Sequence, residues 1–76
     1  MAKLPRVTGR KVLAALTRAG WYEHRKRGSH VILKHPEKPG ARVTVALHGG
    51  RTVLPKTLDS VIQQAGLTIE EFRQLL

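Results

Sequence analysis

The stretch Arg42–His48 constrains this chain most. Val43, Val45 and Leu47 alternate with Arg42, Thr44, Ala46 and His48, the period-2 pattern of a strand with one buried face. Such a strand has to pair with neighbours and be covered on its apolar side. The preceding residues supply the neighbours. Tyr22–Lys26 reads as a weak strand and His30–His35 as a better one, joined by Gly28-Ser29, where glycine supplies the positive φ that a tight hairpin turn needs. Pro36-Glu37-Lys38-Pro39-Gly40 is a second turn, giving three antiparallel strands.

Helices supply the cover. After a short arm at residues 1–7, Thr8 is placed as an N-cap, with Val7 and Val12 positioned as a hydrophobic staple. Val12, Leu13, Leu16 and Ala19 follow helical spacing, and Gly20 ends a first helix over Gly9–Ala19, with Trp21 folding back onto Leu16. Beyond Gly49-Gly50, Leu58, Val61, Ile62 and Ala65 mark a second helix that stops at Gly66. Thr68 with Glu71 forms a capping box and Leu67 with Phe72 a staple, for a third helix over Ile69–Leu76 or a bent continuation of the second. The order is α-β-β-β-α, a single two-layer α+β domain over residues 1–76 with the helices on one face of the sheet.

Alternation then assigns the faces. Val31, Leu33, Val43, Val45 and Leu47 are expected inward, and His30, Ile32, Lys34, Thr44, Ala46 and His48 outward. A two- or four-residue turn puts Arg25 and Arg27 on the His30 side and sends Tyr22, His24 and Lys26 inward.

Charge narrows the function. Lys plus Arg is 14 against 5 Asp plus Glu, a net charge of +9. Residues 1–42 hold 11 of the cations and only Glu23 and Glu37, whereas residues 43–76 balance three cations with three anions. An excess this large and confined to one half of the chain favours a phosphate backbone as partner over the bland reading of a solvated surface. A chain of 76 residues buries only ~60–65% of its unfolded surface, so chemistry belongs on the outside, on a substrate larger than the protein. There is no cysteine, which removes disulfides and thiolate metal sites. No apolar run approaches the ~18 residues of a membrane span, and Met1–Arg6 lacks the apolar segment of a signal peptide, so a cytoplasmic protein is expected.

Few reactions remain open. Nuclease metals need several carboxylates near the phosphate, but Asp59, Glu70 and Glu71 lie in the C-terminal helices. His24, His30, His35 and His48 are spread over both faces, so zinc is not expected, nor is any other cofactor. Ser29 adjoins His30 without an acidic residue at triad-like spacing. What is left is imidazole among cations. A neutral histidine can take the proton of a ribose 2′-hydroxyl, which then attacks its own phosphate while cations steady the added charge. That chemistry is restricted to RNA and needs no metal. His30 is the candidate base. Arg25, Lys26, Arg27, Gly28, Ser29 and Lys34 are candidate RNA contacts, and His48, across the sheet, is a possible second acid/base. On local sequence alone, a structural hydrogen bond explains His30 equally well, and for His24 and His35 it is the better explanation.

Gly28-Ser29-His30-Val31-Ile32-Leu33-Lys34-His35-Pro36 resembles a motif of the HicA family of toxins. Three further stretches are similar: Gly9–Leu16 with Ala19-Gly20-Trp21, Val43–Gly49, and Pro55–Leu58 through Gln64–Leu67. Ala46 departs from the family, where many members have proline, and so does Lys56, near which a glycine is common. The resemblance implies a fold like the double-stranded-RNA-binding domain. It implies an mRNA interferase of a type II toxin–antitoxin system, with mRNA and a cognate HicB antitoxin as partners, no DNA binding of its own, and the catalytic histidine at His30. The alternative is a non-catalytic RNA-binding module. Such modules place a lysine cluster at the start of the last helix, whereas Pro55–Asp59 holds one lysine and one aspartate. With one Trp, one Tyr and one Phe, a stacking platform for single strands is also poor.

Overall fold

The computed structural model describes residues 3–76; of the expected N-terminal arm over residues 1–7, residues 1 and 2 lie outside the described residues. Helix α1 spans Gly9–Arg18, strands β1, β2 and β3 span Tyr22–Arg27, His30–Lys34 and Val43–Ala46, and helices α2 and α3 span Pro55–Gln64 and Ile69–Gln74. The sheet is antiparallel in the order β1-β2-β3. This is the expected α+β architecture, similar to a double-stranded-RNA-binding domain.

Local signals set the element ends. The Thr8 hydroxyl accepts the Lys11 N–H and starts α1. At its other end Trp21 N–H reaches Leu16 O and Gly20 N–H reaches Thr17 O, both at 3.0 Å, a Schellman closure with Gly20 at φ +100°. That closure drops the Trp21 indole into the core. The capping box of Thr68 and Glu71 forms in both directions, which makes α3 a separate helix rather than a bend in α2. Phe72, four residues past the cap, is fully buried.

The core lies between the sheet and the helices. Val31, Leu33, Val43 and Val45 meet Val12, Leu16, Trp21, Leu58, Ile62 and Phe72, all buried. Leu47 departs from expectation: β3 ends at Ala46 and Leu47 is only half-buried. Its N–H still bonds Ser29 O at 2.6 Å, but beyond that point the partner chain has turned away through Gly28-Ser29 and the ladder has nothing left to pair with.

Tyr22 is a second correction. Lys34 pairs with Tyr22 and Leu33 with Glu23, but Ile32 pairs with Arg25, leaving His24 as a bulge. One extra residue inverts the alternation before it. Tyr22 therefore stands on the open face, 47% exposed, and His24 does not point into the core but is exposed in the bulge. Residues after the bulge keep the expected parity, so Arg25 and Arg27 share the face of Ile32 and His30.

Candidate active site

The site begins with a two-residue turn. Arg27 pairs with His30, so only Gly28 and Ser29 connect β1 to β2. Gly28 has φ +54° whereas Ser29 does not have positive φ, the pattern of a type II′ turn with glycine first. No atom lies within 4 Å of where a Gly28 Cβ would be, so backbone conformation alone demands glycine there.

This turn puts His30 on the first residue of β2, exposed on the face away from the helices. The Leu47 N–H to Ser29 O bond draws the end of β3 across to the same corner. His30 faces Ala46 in the register, and His48 follows two residues on. The two imidazoles stand edge to face with centroids 6.4 Å apart. That is too far for a direct hydrogen bond between rings, yet close enough for one phosphodiester to touch both. The relation foreseen across the sheet is thus diagonal, with His48 held by the loop after β3.

The remaining candidates divide. Arg27 is His30's cross-strand neighbour and Arg25 lies one pair further along the same face, both exposed. Lys26 pairs with Val31 and so projects on the helix side, beside Arg10 and Arg18. Lys34 shares the His30 face but sits four residues along the strand, ~13 Å away at ~3.3 Å per residue. Ser29 is half-buried and contributes its carbonyl to the β3 tether.

His35 is a different kind of histidine. Its Nε2–H donates to Ala19 O at 3.0 Å, its Nδ1 accepts the Glu37 N–H at 3.1 Å, and the ring packs edge-on to Trp21 at 5.3 Å. Both nitrogens are committed, which fixes its tautomer and its role as a strut. Among the described residues no three His, Asp or Glu side chains stand together in a manner suited to a metal. Also among the described residues, no helix is long and apolar enough to cross a membrane.

Comparison with known proteins bears on the whole arrangement. A family model described as the HicA toxin of bacterial toxin–antitoxin systems matches residues 9–67. The chain belongs to the HicA toxin family. A search of curated proteins returns no match. Membership makes this HicA protein the toxin of a toxin–antitoxin system, in a family whose members are generally RNase toxins, and gives it a cognate antitoxin. The match starts at the first residue of α1 and ends just past α2, so it spans the histidine corner and the helices behind it.

Proposed function

We propose that this HicA toxin is a metal-independent endoribonuclease, an mRNA interferase, that cuts mRNA at the corner formed by His30 and His48. The observation that carries the reading is the pairing of the two rings at 6.4 Å on an exposed, cation-bearing face. His30 accepts the proton of a ribose 2′-hydroxyl. The 2′-oxygen attacks the adjacent phosphorus, the bond from phosphorus to the 5′-oxygen breaks, and His48 donates a proton to that leaving oxygen. Products are a 2′,3′-cyclic phosphate and a 5′-hydroxyl. Arg25 and Arg27 offset the charge that builds on the phosphoryl oxygens. Gly28 and Ser29 shape the corner, while Lys26 and Lys34 extend the basic surface that draws in the RNA backbone. The cognate HicB-type antitoxin inhibits by covering this exposed face.

The test uses labelled RNA incubated in excess EDTA with the wild-type chain and with His30→Ala. Wild type cleaves in chelator and leaves cyclic-phosphate ends, whereas the variant keeps its fold and loses cleavage. A 5′-phosphate product, or full cleavage by the variant, refutes the reading.

A further inference from the structure

We propose that a pocket beside the histidine pair receives the base of a nucleotide flanking the scissile phosphate, and so sets the base preference of cleavage; this rests on the ribonuclease reading above. The pocket has a volume of about 330 Å³ and is walled by Val45, Val53 and Val61, with Arg51, Thr52 and Thr57 supplying the polar groups. Two more of its lining residues belong to the corner already described: His48, and Ala46, the register partner of His30. Val45, Thr57 and Val61 belong to the helix side, so the opening lies around the edge of β3 from His30 and meets the corner through His48; a nucleotide whose phosphate touches His48 has it within reach.

Size and chemistry both select a base. The volume sits at the lower end of the ~300–1,000 Å³ typical of small-molecule sites, room for one heterocycle. A base has apolar faces for the valines and donor and acceptor edges for the threonine hydroxyls and the guanidinium. Stacking elsewhere near the corner is not on offer. Trp21 and Phe72 are buried, and Tyr22 pairs with Lys34 at the opposite end of β2. The pocket is also built in advance. Val53 N–H bonds Val7 O at 2.8 Å, Thr8 and Thr52 form an antiparallel bridge, and Arg51 N–H closes a turn onto His48 O at 3.1 Å. At the rim, α2 starts at Leu54 and Pro55 with no side chain capping its first turn, which together with Arg51 makes the mouth electropositive.

Two measurements test this on the full chain. In the first, valine methyl resonances are followed by NMR during titration with uncleavable 2′-O-methyl hexanucleotides of A, C or U, and with the same backbone carrying abasic sites. The Val45, Val53 and Val61 methyls shift saturably with the base-bearing oligomers and not with the abasic one, and the apparent Kd differs at least about fivefold among bases. Valine methyls that stay unshifted at saturating oligomer, or equal methyl shifts with the abasic backbone, overturn the proposal. In the second, cut sites in a mixed RNA pool are sequenced for wild type, Thr57→Val and Val53→Phe, with thermal melts to confirm folding. The base distribution beside the cut changes more than the overall rate in at least one variant; unchanged distributions in both folded variants overturn the proposal. If the wild type cuts no RNA, the ribonuclease reading fails by itself and the methyl titration still decides the pocket.

Discussion

Substitution of Gly9 by alanine probes the packing that holds the active corner together. Gly9 is the first residue of α1 and is buried. A Cβ built there overlaps the carbonyl oxygen of Ala46, well inside the 3.0 Å that real Cβ atoms keep, and lies 3.2 Å from Leu47 Cδ2. The leucine side chain can rotate away, but the backbone carbonyl cannot. Helix and strand end must therefore part by about half an ångström or more, at a cost of ~1–3 kcal/mol for overpacking. Alanine's better helix propensity returns at most ~1 kcal/mol, less at a first helical position. A net loss of about 0.5–2 kcal/mol lowers the melting temperature of a domain this size by roughly 2–15 °C. The displaced segment, Ala46–Leu47, leads directly into His48, so cleavage by the folded fraction falls further, by up to ~100-fold if the imidazole spacing matters. Urea titration with RNA cleavage assayed under fully native conditions separates the two effects. A Gly9→Ala chain as stable as wild type refutes the close packing of α1 on the end of β3; a destabilised chain with unchanged turnover when folded refutes the dependence of chemistry on that strand end.

The other expectations concern side chains at the corner and the His35 strut. His48→Ala lowers turnover by ~10²–10⁴-fold on ordinary RNA but far less on a substrate whose leaving 5′-oxygen is replaced by sulfur, which departs without a proton donor; an equal loss on both substrates assigns the acid elsewhere. Arg25→Gln with Arg27→Gln flattens the plot of log affinity against log salt by roughly 1.4, at ~0.7 per phosphate contact on single-stranded RNA, and an unaltered slope moves the RNA to another face. His35→Ala costs ~1–3 kcal/mol in urea unfolding, from the Ala19 carbonyl left without its donor and the lost contact with Trp21, yet leaves turnover per folded molecule intact. A large loss of turnover there would mean that this ring is more than a strut.

Much of the fold is legible in the chain because its signals are local. The Thr8 and Thr68 caps, the closure at Gly20 and the turn at Gly28-Ser29 each depend on residues within a few positions of one another. The burial of Val31, Leu33, Val43 and Val45 follows from strand alternation alone. Charge and the absence of cysteine narrow the chemistry before any coordinates exist, and the four similar stretches point to the family that the match over residues 9–67 shows.

Other features depend on how separate segments meet. Nothing in Tyr22–Arg27 announces the bulge at His24; it arises from pairing with β2, and it alone turns Tyr22 outward. Nor does the alternation of Arg42–His48 reveal where β3 stops, since that depends on where β2 runs out of partners to offer. The same holds for the four histidines, which look alike in sequence. Ring contacts make His35 a strut against Ala19 and Trp21 and bring His48 to within 6.4 Å of His30. Sequence determined which residues could carry acid–base chemistry, because side-chain type and short-range conformation are properties of the chain itself. Tertiary structure decided which of them stand together, because a distance between residues 18 positions apart is set by strand pairing rather than by either residue's neighbours.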